Sequence, residues 1–453
     1  MATTTNRDAE ETHFGYVIFI AGAAAMGGFL FGYDSAVING AVTGIQKHFN
    51  VGANTTGFTV AAALIGSAVG AWFAGHAADR FGRVRVMLTA AALFFISGFG
   101  SALPFSIWDL AAWRVVGGIA IGLASVIAPA YIAEVAPPQY RGRLGSLQQM
   151  AIVLGIFISQ LANYALAQGA GGHSENKLGP LEAWQWMLMA EALPALLYGG
   201  LALIVPESPR YLIASGQDAK AREVLRKVEG EQVDLDGRIA EIRHVLASDH
   251  RAGLRDLLGP TGRVLAIVWI GIGLSVFQQF VGINESNSLL ISISTSLVNI
   301  VGTVVAIVVI DRIGRKPLAL IGSCGMTLSL LSLAWAFSHA VGKGGDAKLS
   351  NGYATVALVG AHLYVFFFAM SWGVVVWVML GEMFPNKIRA VALSVAASAQ
   401  WLANWVITQS FPSMSKWSLT GSYIIYAGMA FLSILFVLKF IKETKGKTLE
   451  QMG

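Results

Sequence analysis

Cysteine is almost missing from this chain. Cys324 is the only one, which excludes an intrachain disulfide and any cysteine metal cluster. Histidine is scarce too: eight copies lie scattered without metal-ligand spacing, and neither a metal nor another cofactor is expected. Charged residues make up only 13% of the sequence, roughly half the share of a soluble globular protein. No nucleophile–base pair or phosphate loop stands in a soluble stretch, so an enzyme reading finds no support. The glycine run GGIAIGLAS (117–125) is not a dinucleotide fingerprint, because it lies inside an apolar span with no strand before it. Small residues there allow close helix packing.

What the chain has instead is hydrophobic surface. It is 453 residues long and 55% hydrophobic, with a mean hydropathy of +0.62. Apolar segments of about 20 residues, enough for a ~30 Å hydrocarbon core, recur twelve times: 14–37, 58–78, 86–104, 108–132, 144–168, 186–205, 263–284, 288–310, 316–339, 353–380, 390–411 and 420–441. Inside lipid each backbone polar group needs a partner within its own segment, so these are read as helices. The expected fold class is an all-α membrane protein. Of 31 Lys and Arg residues, all but Arg114 (inside a span), Lys47, Lys177, Lys343, Lys348 and Lys416 fall on one face. The positive-inside rule makes that face, and with it both termini, cytoplasmic. The net charge of +5 therefore reflects topology and implies no nucleic-acid partner. The N-terminus shows no cleavage-like site after a short apolar core, so the first span is expected to be retained.

The two halves of the chain echo each other. DRFGRVR (79–85) returns as DRIGRKP (311–317), EVAPPQYRG (134–142) as EMFPNKIRA (382–390), and ESPR (207–210) as ETKG (443–446). One copy alone reads equally as a basic loop obeying topology; three pairs in matching order imply two related six-helix halves. The expected divisions are an N-terminal half (1–205), a cytoplasmic helical linker (206–262), a C-terminal half (263–441) and a cytoplasmic tail (442–453). In the linker, DAKAREVLRKVE and LDGRIAEIRHVLAS read as short amphipathic helices that tether the halves. Parallel repeats put a substrate site between the halves, near the midplane.

Polar residues inside the spans indicate what such a site holds. Asp34 sits in the first span with no basic residue nearby in sequence. An ionised carboxylate is costly in hydrocarbon and needs a partner. Arg114 on the fourth span is the candidate, and Glu191 on the sixth is a second acid that competes for it. Amides (Gln149, Gln278, Gln279, Asn284, Asn299, Gln400) and indoles (Trp377, Trp401) also fall within spans or at their ends. Any one amide is equally well read as a bond between helices. Together they suit a carbohydrate, since amides donate and accept as hydroxyls require and indole rings cover C–H faces. On the cytoplasmic side Arg80, Arg83, Arg141, Arg143, Arg312, Arg315 and Arg389 are expected to pair with Glu134, Glu207, Glu382 and Glu443. Such a network would bias the state closed to the cytoplasm; the plainer reading is that these residues only anchor topology.

Taken together, GGFLFGYDSAVING, DRFGR, RVVGGIAIGLASVIAPAYIAEVAPPQYRG, PESPRYL, FQQFVGIN, DRIGRKPL, WVMLGEMFPNKIR and KETKGKTLE resemble the sugar porter family of the major facilitator superfamily. The resemblance covers nearly the whole chain. It looks closest to actinobacterial glucose permeases and is similar to the bacterial xylose–proton symporter. It implies a monomeric twelve-helix transporter moving a hexose or pentose by alternating access. It assigns sugar contacts to the positions matching Gln149, Gln278, Gln279, Asn284, Trp377, Gln400 and Trp401. It also implies a proton acceptor at Asp34, paired with Arg114; passive glucose facilitators have asparagine there. Ile156 matches the apolar residue of glucose carriers, where the xylose symporter has glutamine. The resulting expectation is glucose uptake by proton symport in the cell membrane, with a sugar, protons and the lipid bilayer as partners. A passive facilitator is the alternative, and Asp34 argues against it.

One departure from the family pattern stands out. After FQQFVGIN the family continues through more of the seventh helix and an outer loop, whereas here Asn284 is followed at once by ESNSLLISISTSLVNIVGT, which reads as the eighth span. The seventh helix is therefore expected to be truncated on its outer side. Either it slides outward with Gln278 and Gln279, or the polar turn 285–288 sits unusually deep. Both damage an outer gate, which leaves a third reading: a sugar-binding receptor or inactive relative that no longer cycles.

Overall fold

The computed structural model describes residues 2–137, 140–230, 234–248, 254–258, 264–280, 289–340, 349–385 and 388–444. Its first half begins with α1 (Ala2–Phe49), α2 (Ala53–Phe81), α3 (Arg83–Ala102), α4 (Ile107–Val135) and α5 (Arg141–Gly169). A short antiparallel pair, β1 (Lys177–Leu178) and β2 (Leu181–Glu182), precedes a sixth span built from α6 (Ala183–Met189) and α7 (Ala192–Ile204). Three short helices, α8 (Pro209–Ala214), α9 (Asp218–Glu229) and α10 (Leu235–Ser248), and the 3-10 turn Leu254–Leu257 lie between the halves. The second half comprises α11 (Ala266–Phe280), α12 (Leu289–Ile313), α13 (Arg315–Ser338), α14 (Asn351–Ala369), α15 (Trp372–Glu382), α16 (Arg389–Trp417) and α17 (Leu419–Phe440).

Among the described residues, eleven helical stretches are long and apolar enough to cross a membrane, with α6–α7 and α14–α15 each counting as one broken span. The twelfth expected span, 263–284, is represented by α11. At 15 residues it reaches about 22 Å, short of the hydrocarbon thickness. Asn284 lies outside the described residues. Large apolar side chains such as Leu193, Leu203 and Leu328 are exposed on the outside of the bundle, as a lipid-facing surface requires.

With lipid as apolar as leucine, helix association rests on close packing. α1 and α5 show how close. A methyl group on Gly32 would collide with the Ile152 carbonyl, and one on Gly155 with the Phe29 carbonyl. Each glycine lets the other helix's backbone in. Gly155→Ala is therefore expected to destabilise the purified protein by about 1–3 kcal/mol, seen as a lower thermal unfolding midpoint. Gly200→Ala, where a methyl group meets nothing within 4 Å, should leave the midpoint unchanged.

Candidate functional site

Breaks in two spans create the site. Pro194 has no N–H to offer the Ala190 carbonyl, so Leu193 donates to it instead, at 3.3 Å, and α7 restarts with Glu191 as its N-cap. The charged neighbours of Glu191 are Asp34 of α1 and Arg114 of α4. All three are buried, at 2% exposure or less. Arg114 Nη1 donates to Asp34 Oδ1. The second Asp34 oxygen, Arg114 Nε and Glu191 Oε1 have no hydrogen-bond partner among the described residues. One guanidinium thus serves two carboxyls, and fully ionised the set carries one net negative charge that a single proton neutralises.

The tenth span breaks at Ser371, whose hydroxyl donates back to the Phe367 carbonyl at 2.5 Å, a pattern that bends helices. α15 restarts at Trp372, and its carbonyl accepts from Gln278 Nε2 at 3.1 Å. Gln400 Nε2 donates to Gln278 Oε1 at 2.7 Å, leaving Gln400 Oε1 buried without a partner among the described residues. Trp377 Nε1 donates across the halves to Gln149 Oε1 at 3.1 Å. Trp401 Nε1 reaches Ser125 Oγ at 3.3 Å, also across the halves, and its ring stands edge-on to Phe31 with 4.9 Å between centroids. Gln279 and Asn299 are half-buried, and Asn299 Oδ1 has no partner among the described residues. Gln278 and Gln400 stand roughly 18 and 17 Å from the starts of α11 and α16, at 1.5 Å per residue. The short α11 thus keeps Gln278 level with Gln400, to which it is bonded.

At the end of the bundle where α2 meets α3 and α12 meets α13, expected to be cytoplasmic, the two halves repeat one device. Gly82 (φ 94°, ψ 163°) and Gly314 (φ 102°, ψ 165°) occupy a backbone conformation open essentially to glycine alone, and turn α2 into α3 and α12 into α13. A carboxylate then caps each new helix. Glu207 accepts from the backbone N–H groups of Arg83 and Val84 at 2.9 and 3.1 Å; Glu443 accepts from those of Arg315 and Lys316, both at 3.0 Å. Burial pushes the Glu207 carboxyl above its usual range, opposed by N–H donation from Ser208, Arg83 and Val84. Arg83 forks onto Glu134 at 2.9 and 3.0 Å, and Arg315 onto Glu382 at 2.9 and 3.2 Å.

Two further bonds join the halves at this end. Arg143 N–H donates to Asp311 Oδ2 at 3.0 Å and Gly75 N–H to Ser394 Oγ at 2.9 Å, so these ends of the halves are in contact. Ser398 Oγ donates to the Ala68 carbonyl at 3.0 Å farther along the helices. Of the remaining expected members, Arg389 is buried and donates to the Phe384 carbonyl at 3.0 Å. Arg80 and Arg312 are exposed, and the Arg80 guanidinium lies over the Phe81 ring. The Arg141 side chain lies outside the described residues.

Sequence reasoning passed over Asp79 and Asp311, which hold Arg83 and Arg315 at 3.2 and 2.9 Å. Their signal was present, since each opens a repeated DR-GR motif four residues before its arginine. The carbonyl of Trp372, Ser125 and Phe31 were passed over as well, and for them only the tertiary fold supplies a reason.

Two bundles of spans enclosing a buried cluster of amides and indoles, with a charged set beside it, define a membrane carrier. The family model "Sugar (and other) transporter" matches residues 20–453. A glucose transport protein of Synechocystis is 53% identical over 455 residues, covering 96% of this chain and 97% of that one. The D-xylose-proton symporter of Escherichia coli K12 is 39% identical over 486 residues, covering 96% and 95%. The solved structure of the major facilitator superfamily proton:xylose symporter XylE bound to 6-bromo-6-deoxy-D-glucose superposes with a TM-score of 0.86 at 38% identity, covering 97% of this chain and 99% of that one. The chain belongs to the sugar transporter family of the major facilitator superfamily.

Arg315 and Glu382 are each 3% exposed, so removing one leaves the other charge buried. Glu382→Ala is expected to cost about 3–5 kcal/mol, read as a fall in the thermal unfolding midpoint. Arg222→Ala, which removes an exposed pair with Asp236, should cost less than about 1 kcal/mol.

Proposed function

We propose that the protein takes up glucose across the cell membrane by proton symport, as a monomer with both termini in the cytoplasm. The single observation that carries this reading is the buried Asp34–Arg114–Glu191 set, a group whose charge a proton changes, placed inside a sugar transporter fold. The similarity to a cyanobacterial glucose transport protein and to a D-xylose-proton symporter supports it.

The sugar lies between the halves. Gln149, Gln278, Gln279, Gln400, Asn284 and Asn299 meet its hydroxyls, and Trp377 and Trp401 cover its C–H faces. Gln278 is oriented by its bonds to the Trp372 carbonyl and Gln400, which leaves Gln400 Oε1 to accept from a sugar hydroxyl. Protonating Asp34 removes its charge and loosens its hold on Arg114, which allows α1 and α4 to shift against each other. Charge returns when the proton leaves, and the pair reforms. The Arg83–Glu134 and Arg315–Glu382 forks, with the helix caps of Glu207 and Glu443, hold the cytoplasmic side closed until that switch. Contact between the cytoplasmic ends through Arg143–Asp311 and Gly75–Ser394 fits a form closed on that side.

Two outcomes follow for proteoliposomes. Asp34→Asn should abolish glucose accumulation driven by a pH gradient while glucose exchange between equal pools persists; loss of both together with poor folding would instead mark a static ion pair. Gln400→Ala removes the open acceptor, and should raise the glucose Kd by about tenfold, equivalent to one lost hydrogen bond of about 1.4 kcal/mol, as read by isothermal titration.

A further inference from the structure

Polar groups in the N-terminal half stand in levels. Asp34 and Glu191 form one. Seven residues toward the cytoplasm from Asp34 on α1 lies Gly27, and seven residues toward the cytoplasm from Glu191 lies Tyr198 on α7. Seven residues is close to two helical turns, so each lies on the same face as its acid and about 10 Å below it. These two residues meet. A methyl group built on Gly27 would lie 2.9 Å from the Tyr198 hydroxyl oxygen and 2.9 Å from the Ala124 methyl. The bare backbone at Gly27 is what admits the hydroxyl. Tyr198 is fully buried, and that hydroxyl has no hydrogen-bond partner among the described residues. An unpaired buried hydroxyl destabilises a fold, and phenylalanine would fill the space without that cost.

A third level lies below. Seven residues beyond Ala124 on α4, Tyr131 donates its hydroxyl to the Pro206 carbonyl at 2.7 Å, with Glu134 and Glu207 as its charged neighbours. The three levels run through the interior of the N-terminal half, apart from the amides between the halves.

Resting on the proton-symport reading above, we infer that Tyr198 is a relay residue through which the proton leaves the Asp34–Glu191 pair toward the cytoplasm. Waters bridge the levels, each gap of about 10 Å being reduced by the side chains to a span of about two hydrogen-bonded molecules. The step balances. A water accepts the carboxyl proton and passes one of its own to a lone pair of the Tyr198 oxygen, while the phenolic O–H proton moves to a water on the cytoplasmic side. The carboxyl is left ionised, the phenol neutral, and one proton has moved inward. The charged and titratable groups along this column are Asp34, Tyr33 and Tyr16 of α1, Arg83 of α3, Arg114, Tyr131 and Glu134 of α4, Glu191 before α7, and Glu207 after it.

The test compares wild type, Tyr198→Phe and Asp34→Asn in proteoliposomes holding a fluorescent pH reporter. Glucose-driven proton influx, net glucose uptake and glucose exchange at equal pH are measured, with the thermal midpoint of each protein. Exchange lets the loaded carrier return without releasing its proton, so it separates relay from structure. Tyr198→Phe is expected to keep exchange within twofold of wild type while slowing proton influx and net uptake about tenfold. Unchanged influx in Tyr198→Phe overturns the relay, and so does an equal fall in exchange and influx. If the wild type itself moves no protons with glucose, the symport reading fails and the relay fails with it.

Discussion

Arg114 brings one positive charge to a place where the chain has put two carboxyls, deep among alanines, glycines and valines. In so apolar a setting no charge is tolerable without a partner, and a single guanidinium has one full pairing to give. Asp34 takes it. Glu191 stands at a helix break beside the pair, so the set has no arrangement in which both acids are fully paired. That shortage leaves the set with one more acid than base, so a single proton settles its net charge.

Surrounding structure holds this set. Glycines at the α1–α5 crossing bring backbones into contact, so the half carrying Asp34 is closely packed there. Between the halves, side-chain hydrogen bonds include Trp377 to Gln149, Trp401 to Ser125 and Gly75 to Ser394, and at Gly75 the backbones also come close, a methyl group there lying 2.4 Å from the Ala390 carbonyl oxygen. Such bonds exchange for water or for sugar hydroxyls at modest cost, whereas interdigitated side chains do not.

The glycine-turn and carboxylate-cap devices are built the same way twice. A glycine with positive φ ends one helix, an arginine opens the next, and a distant glutamate caps it. Because each glutamate sits just past the last span of its half, the cap fastens the end of each bundle to its second and third helices. The repeated motifs announced these residues, and the structure adds Asp79 and Asp311, with Asp311 reaching across to Arg143. Arg80 had the same sequence credentials as Arg83 and turns outward. The Gly82 turn puts the two arginines on different helices, Arg80 at the end of α2 and Arg83 at the start of α3, and a motif does not state which of them meets a partner.

Hydropathy and the repeated motifs already determined the class and the helical character. These are properties of segments: lipid forces each apolar stretch to satisfy its own backbone, so no distant residue enters the argument. The pairing of Asp34 with Arg114 was also readable, because a base in hydrocarbon has few choices, and Asp34 and Glu191 were the acids that compete for it. What only the tertiary structure decided are matters of packing. It settled that Gln278 stays level with Gln400 despite the shortened α11, that Ser371 and Pro194 break their spans, and that Gly27 faces the Tyr198 hydroxyl. Each of these depends on which helices are neighbours and at what depth, and that is fixed by contacts between residues far apart in the chain.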